Sequence, residues 1–188
     1  MERHAIWTQW SRPGLEHLHL ACRGDEVVAD GIILGVENGM AFRLRYEVRC
    51  DSHWIVRRVR VSSLSGAQDI SLAADGEGHW SDASGKAIHM LDGCLDVDIS
   101  ATPFTNTLPI RRLALKPGES SDLKVAYIAI PEMQVTLERQ RYTCLAVSSV
   151  GGEYRFESLD SSFTADLPVD ADGLVEDYPT LFRRVWSD

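Results

Sequence analysis

The 188-residue chain lacks several features that would mark a specialised class of protein. It has only four cysteines (Cys22, Cys50, Cys94 and Cys144), and their wide spacing predicts free, buried thiols instead of a disulfide or zinc framework. Basic residues are also few. The 19 Lys and Arg against 28 Asp and Glu give a net charge of −9, which argues against nonspecific binding to nucleic acid.

Long hydrophobic runs are missing as well. The longest apolar run lies around Ile32–Leu34, far short of the ~20 residues that span a bilayer. The segment Met1–Trp7 has no apolar signal core. We therefore expect a cytoplasmic protein without a transmembrane segment. No linker rich in Pro, Gly or Ser divides the chain, so residues 1–188 are expected to form one domain.

The common catalytic motifs are also absent. The chain has no Gly-rich phosphate loop, no Ser-centred nucleophile elbow and no His-Glu-x-x-His pair. These absences count against the common hydrolase and nucleotide-binding classes, and we predict no cofactor and no metal site.

The chain consists instead of short strand-like runs bounded by Gly, Asp, Asn or Ser, which favour turns. Ten such runs predict a mainly β domain, with the strands in a curled sheet, roll or barrel. They are Leu15–Cys22, Val27–Val36, Met40–Cys50, Trp54–Ser62, Asp69–Ala74, Gly93–Ser100, Leu123–Ile130, Val135–Val147, Glu153–Ser158 and Ser162–Val169.

The clearest pattern runs from Met40 to Val61. Within Met40–Cys50 every second residue is apolar and four of the intervening residues are charged, so a strand would separate an apolar face from a charged one. A two-residue turn at Asp51-Ser52 would set the register of a hairpin. The predicted neighbours across this hairpin are Arg45 with Arg58, Arg43 with Arg60, and Trp54 with Arg49.

Helix signals are scarce. Apolar residues from Leu174 to Val185 follow a 3.6-residue period, and Pro179 suits the first turn of a short helix over 179–186. A second candidate covers 105–113, with Thr105 and Asn106 as N-caps. We expect at least one of these two segments to be a helix packed against the sheet.

Several stretches resemble a family of uncharacterised prokaryotic proteins labelled putative glycolipid-binding. The similarity extends over nearly the whole chain, and the string Thr-Pro-Phe-Thr-Asn-Thr-Leu-Pro from Thr102 is its most distinctive part. The stretches are Gly93–Ser100, Thr102–Arg112, Val125–Ile128, Gln140–Thr143 and Asp170–Phe182.

The resemblance implies a spiral β-roll, in which a single many-stranded antiparallel sheet curls as a half-barrel around one short α-helix. It also implies a homodimer. The fold is similar to that of periplasmic lipoprotein carriers, whose concave sheets hold acyl chains. The family therefore suggests a glycolipid or another amphiphile as ligand, and this suggestion rests on the similarity between the folds. It supplies no catalytic residues to carry over.

The charged face of the hairpin is the first candidate site. Arg43, Arg45, Arg49, Arg58 and Arg60 would share it, and like charges opposite each other repel by roughly 3 kcal/mol at ~5 Å and an effective dielectric near 20. The arginines could grip an anionic headgroup, with Trp54 at the end of the same face. Alternatively, carboxylates from neighbouring strands or water could neutralise them.

Two further groups could carry chemistry. Asp96 and Asp98 would share one face of a strand, close to Asp92, and could serve a glycosidase, bind a hard cation or neutralise the arginines. His17 and His19 would also share a face, with Glu16 on the opposite one, and could bind a metal or be plain surface residues.

The segment Pro103–Thr107 could bind a sugar. Asn106 and Thr107 offer hydrogen-bonding groups, and Phe104 or Trp80 could stack on a pyranose ring, although Thr and Asn could equally cap a helix here. We therefore expect a non-enzymatic protein that holds an amphiphile in a curved sheet. Two alternatives are a hydrolase of glycolipid metabolism using Asp96 and Asp98, and a structural homodimer with a filled core.

Overall fold

The computed structural model describes residues 1–66 and 68–188. Over these residues the chain forms fourteen strands and one α-helix, α1 (Thr107–Leu113). The strands are β1 (Glu2–Gln9), β2 (Gly14–Arg23), β3 (Glu26–Glu37), β4 (Met40–Asp51), β5 (Val56–Ser63), β6 (Asp69–Ala74), β7 (Trp80–Asp82), β8 (Asp96–Ile99), β9 (Ser120–Ala129), β10 (Gln134–Ser148), β11 (Gly151–Ser158), β12 (Thr164–Asp170), β13 (Asp177–Tyr178) and β14 (Phe182–Ser187). In the same part of the chain no helix is long and apolar enough to cross a membrane.

The mainly β class with one short helix is confirmed, but the strands form two sheets instead of the single one expected. The larger sheet has nine strands in the order β13-β14-β1-β2-β3-β4-β5-β6-β7, and the smaller has five in the order β12-β11-β10-β9-β8. Neither sheet closes into a barrel. The expected all-antiparallel pairing fails at one place, because β8 pairs with β9 in parallel.

The two faces predicted for β4 are confirmed, whereas the predicted register is wrong. Leu44, Tyr46 and Val48 are buried on one face, and the arginines lie on the other. Arg58 faces Arg49, not Arg45, and Arg60 faces Glu47, not Arg43.

A longer loop causes this difference in register. The Asp51 carboxylate accepts hydrogen bonds from the backbone N–H groups of His53 and Ile55, so the loop continues past the predicted two-residue turn. Trp54 lies in this loop and not opposite Arg49. The resulting slip is four residues, and an even slip keeps every side chain on its predicted face.

Of the two helix candidates, only the first is a helix. Residues 107–113 of the predicted 105–113 segment form α1, whereas Phe182–Ser187 forms β14 and pairs with β1. The helical prediction for 179–186 is wrong because pairing with a sheet edge outweighs a local apolar period. The partner strand is missing from the ten runs read from the sequence.

The core has two parts, one on each face of the smaller sheet. Val135 and Leu137 of β10 pack toward the larger sheet, in a cluster that contains Trp7 and Phe104. Tyr142 and Cys144 of the same strand face the opposite way, into a second cluster. Helix α1 contributes Leu108 to the first cluster and Ile110 to the second, so the middle of the molecule is filled by side chains.

Candidate functional site

The segment that was expected to contact a sugar lies mostly inside the core. Phe104 is fully buried and stacks near the Tyr46 ring, and Thr107 donates a hydrogen bond to the Gly173 carbonyl at 2.8 Å. Asn106 accepts a hydrogen bond from the Tyr142 hydroxyl at 2.8 Å and donates one to the Pro103 carbonyl. These contacts hold the start of α1 in the core, where Phe104 cannot stack on a sugar. The predicted capping is wrong, because the side chain of Asn106, the residue before α1, accepts no backbone N–H of the helix.

Asp96 and Asp98 are both engaged by other side chains. The two carboxylate oxygens of Asp96 accept hydrogen bonds from Arg112 at 2.5 and 3.1 Å. Asp98 accepts from Thr105 at 3.0 Å and from Gln140 at 2.7 Å. Burial raises the pKa of both carboxyls. Asp96 therefore neutralises an arginine of the helix and not the arginines of the hairpin.

The arginine face of the hairpin is exposed and only partly neutralised. Arg45 pairs with Asp30 of β3, and Arg49 pairs with Glu47 at 2.8 Å and Glu26 at 3.1 Å. Arg43, Arg58 and Arg60 form no ion pair within the described residues. Exposure to water and carboxylates of the same sheet thus accommodate these charges, as the second alternative held.

His17 and His19 share the exposed face of β2, with Glu16 on the opposite face, as expected. The structure adds His4 of β1, which lies between them: its Nδ1 is 3.1 Å from Nε2 of His17, and its ring stacks on His19 with centroids 4.6 Å apart. His19 also contacts the Glu2 carboxylate at 2.9 Å. The three histidine rings thus contact one another, and His19 also contacts the Glu2 carboxylate, as surface residues do.

One cavity, of about 660 Å³, is an apolar groove where the ends of β2–β5 meet the turn between β9 and β10. Leu15, Leu34, Leu44, Phe42, Ile130 and Met133 contribute to its walls. Gly14 and Gly35 face each other across β2 and β3, and a Cβ on Gly35 would lie 2.6 Å from the Phe42 ring. The two glycines therefore leave room for the side chains of Gln9 and Phe42. Arg43, from the predicted arginine face, lies at this groove.

A second cavity of about 260 Å³ adjoins the groove, and we call it the bridging cavity. It shares Phe42 and Ile130 with the apolar groove. Its other walls are polar and include Gln9, Arg12 and Glu37. The bridging cavity thus lies beside the groove, and Tyr127 and Ala129 of the smaller sheet also line it.

A third cavity of about 360 Å³ adjoins the bridging cavity, and we call it the aromatic cavity. The two share Ser100, Tyr127, Leu181 and Phe182. Rings and polar side chains line it together, namely Phe156, Phe163, Tyr178, Asp98, Glu138 and Gln140. The three cavities lie in a row, which we call the seam, because each shares lining residues with the next.

The aromatic cavity combines packed rings with carboxyl groups that hold protons more tightly than usual. The rings of Phe156, Phe163 and Tyr178 pack with centroids 6.0–6.2 Å apart. Burial raises the pKa of Glu138, with the nearby Asp98 charge as a further cause, and burial raises the pKa of Tyr127 to about 12. The cavity can offer hydrogen-bond donors, acceptors and ring faces to one small polar group.

Sequence reasoning missed most of the aromatic cavity, although a signal was present. Tyr127, Gln140 and Tyr178 lie in three of the stretches that carry the family resemblance, and Asp98 lies in a fourth. Their strands come together only in the folded chain. Of the predicted residues, Asp98 and Asn106 line this cavity and Trp54 lines another one, discussed below.

Sequence reasoning also missed a buried carboxyl group. Glu16 is 2% exposed, and its Oε1 accepts hydrogen bonds from the hydroxyls of Tyr46 at 2.5 Å and Thr102 at 2.7 Å. Its Oε2 has no hydrogen-bond partner among the described residues. Burial raises the pKa of Glu16 to about 7. Gly31 makes the arrangement possible, because a Cβ there would lie 2.1 Å from the Tyr46 ring.

Comparison with known proteins finds the family over nearly the whole chain. A crystal structure of a DUF1089 family protein from Pseudomonas aeruginosa is 39% identical, covers 95% of this chain and 92% of that chain, and superposes with a TM-score of 0.80. No curated protein matches the chain. A family model described as putative glycolipid-binding matches residues 4–184. The resemblance seen in the sequence is thereby confirmed, and the chain belongs to this putative glycolipid-binding family.

Proposed function

We propose that the chain binds an amphiphilic molecule with a sugar head along the seam. The aliphatic part lies in the apolar groove, and the head lies in the aromatic cavity. The observation that supports the proposal is the row of neighbouring cavities, in which an apolar cavity at one end and a polar cavity at the other share lining residues with the bridging cavity between them. A glycolipid has the same division between its two ends.

The apolar groove suits an aliphatic chain. Its volume of about 660 Å³ falls within the range of small-molecule sites, about 300–1,000 Å³. Leu15 and Leu34 are 45% and 48% exposed, so the groove presents apolar surface that a bound chain would cover. Each methylene buried there would contribute about 0.8 kcal/mol.

The aromatic cavity suits a sugar. Sugar hydroxyls need paired donors and acceptors, which the carboxyl of Glu138 and the phenol of Tyr127 can provide. The apolar face of a pyranose ring can lie on Phe163, which is only partly buried. Dodecyl maltoside, which joins a sugar head to one aliphatic chain, is therefore a suitable probe.

Calorimetry with delipidated protein tests the proposal. We expect dodecyl maltoside, below its micelle concentration, to bind more tightly than either maltose or dodecanoate, because only the conjugate occupies both ends of the seam. Tyr127→Phe should weaken binding of dodecyl maltoside and leave dodecanoate unaffected. Equal affinity for dodecyl maltoside and dodecanoate would contradict a sugar site in the aromatic cavity.

A charged residue in the apolar groove should block the aliphatic chain. Leu34→Asp is expected to weaken dodecyl maltoside binding about tenfold, because the chain then loses apolar contact and desolvates a carboxylate. Ile32→Asp is the matched control: Ile32 lies two residues away on β3, is 46% exposed and does not line the groove. If both variants bind like the wild type, the aliphatic chain does not lie in this groove.

The cytoplasmic location remains a prediction, and we also propose a homodimer, as the family resemblance implies. Light scattering should then give twice the chain mass of 20.9 kDa at micromolar concentration. A mass of one chain over this range would exclude a stable dimer and leave the ligand proposal intact, because the seam is built from residues of one chain.

A further inference from the structure

A fourth cavity, of about 580 Å³, lies apart from the seam and shares no lining residue with it. It is bounded by the loop after β4, the end of α1 and the turn between β10 and β11. Trp54 and Arg111 face each other in it, with the guanidinium carbon 5.1 Å from the centre of the indole ring. We infer that this cavity binds an oxyanion, such as a phosphate group, through Arg111.

The charges around the cavity leave Arg111 without a counter-charge. The Arg111 side chain is exposed, and it forms no ion pair within residues 1–66 and 68–188. Arg112, the neighbouring arginine, is bound to Asp96. The one carboxylate in the lining, that of Asp170, pairs with Arg184 at 2.5 Å and with Arg3 at 3.6 Å. One positive charge in the cavity is therefore available to a ligand.

Arg111 is also held in position. Its aliphatic part lies against Gly173, where a Cβ would come within 3.1 Å of the Arg111 Cδ. Its guanidinium lies over Trp54, a contact that keeps the planar group oriented while its N–H donors stay open. A guanidinium with fixed orientation can donate two parallel hydrogen bonds to a phosphate or carboxylate.

The backbone at Trp54 is an independent sign of a site. Trp54 has a φ of +64° and is only 6% exposed, and bulky side chains rarely adopt this left-handed conformation. The surrounding loop maintains it: the Trp54 N–H donates to the Asp51 carbonyl, and the Asp51 carboxylate caps the loop. Strained residues of this kind concentrate at ligand sites, and here the strain puts the indole under Arg111.

Nuclear magnetic resonance with two probes tests the inference. The indole N–H signal of Trp54, assigned with Trp54→Phe, should shift and saturate when inorganic phosphate is added at constant ionic strength. Dihexanoylphosphatidic acid, which carries the same group on a short lipid, should shift the same signal. Tighter binding of the lipid would identify a headgroup as the source of the phosphate, and tighter binding of inorganic phosphate would identify a free anion.

Matched arginine variants separate a site from general attraction. Arg111→Gln should weaken binding of both probes at least about tenfold, as expected for loss of a charge-assisted pair of hydrogen bonds. Arg183→Gln removes an exposed arginine that also lies over an indole ring, that of Trp10 at 4.8 Å, but does not line this cavity, and it should leave both titrations unchanged. Unchanged binding in a folded Arg111→Gln protein, or equal losses in both variants, would overturn the inference. Failure of dodecyl maltoside binding would not affect it.

Discussion

At pH 8 we expect Glu16→Gln to raise the free energy of unfolding by about 3 kcal/mol, which makes the variant more stable than the wild type. At pH 4 the two proteins should be equally stable. A carboxyl in the core is the cause. Glu16 is 2% exposed, only its Oε1 is hydrogen-bonded within the described residues, and its pKa rises from the ordinary 4.5 to about 7.

The number of protons bound in the folded and unfolded states determines whether the free energy of unfolding rises or falls with pH. Between pH 4.5 and 7 the folded chain keeps the Glu16 proton, whereas the unfolded chain releases it. The folded state therefore binds more protons, and stability falls as the pH rises through this window. The loss is complete above pH 7. An amide carries no charge at any of these pH values, so the variant avoids the loss and still accepts a hydrogen bond from Tyr46 or Thr102.

Urea unfolding at pH 4, 6 and 8 measures this difference. Glu153→Gln, a change at an exposed carboxyl in β11, is the control and should match the wild type throughout. Comparing variants cancels the contributions of the other buried carboxyls, Asp96 and Asp98, whose pKa values are also raised. If the Glu16→Gln protein is no more stable than the wild type at pH 8, ionisation of Glu16 does not destabilise the folded chain.

How much of this architecture can be predicted depends on the range of the interactions that determine it. Every run proposed as a strand overlaps an observed strand, and Asp69–Ala74 has the same bounds in the structure. Alternation of apolar and charged residues is a local property, so β4 and its two faces follow directly from it. The division into two sheets does not, because no local pattern distinguishes a strand of one sheet from a strand of the other.

The errors at the two ends of the chain have one physical cause. Residues 179–186 have the spacing of a helix, yet Phe182–Ser187 pairs with Glu2–Gln9, more than 170 positions earlier. In isolation neither segment shows its partner. Pairing to a sheet edge satisfies a row of backbone hydrogen bonds, and this outweighs the small local preference for a helix.

The site could be predicted only in fragments for the same reason. Asp98 is visible as a polar residue in a strand, but Gln140, Tyr127 and Tyr178 lie on three other strands and join it only in the folded chain. Asn106 illustrates a second difficulty. Its residue type suits a sugar and a cap equally, and only the contacts with Tyr142 and Pro103 show that it fastens the helix.

The largest loss of stability is expected when the buried ion pair between α1 and β8 is broken. Arg112→Met should lower the free energy of unfolding at pH 7 by about 3–5 kcal/mol, because it leaves the Asp96 carboxylate buried without a partner. Both carboxylate oxygens now accept hydrogen bonds from the guanidinium, and the side chains of Arg112 and Asp96 are 14% and 1% exposed.

Two further variants distinguish a buried pair from ordinary loss of a charge. Arg155→Met breaks an exposed pair with Asp166, whose side chains are 45% and 40% exposed, and should cost less than about 1 kcal/mol. Replacing both partners, as Asp96→Leu with Arg112→Met, should recover most of the loss, because no charge then stays buried. Similar losses for Arg112→Met and Arg155→Met in urea unfolding would contradict a special role for the buried pair.

The same variants bear on what Asp96 does. A hydrolytic role would require its carboxylate to meet a substrate, whereas the structure has both oxygens bound to Arg112 at 2.5 and 3.1 Å. If Asp96 serves only to fasten α1, the double variant should bind dodecyl maltoside like the wild type once its stability is restored. Arg111 is the neighbour of Arg112 on the helix, and Asn106 lies at the start of the helix. Recovery of stability with altered phosphate binding would then show that the ion pair also sets the position of Arg111.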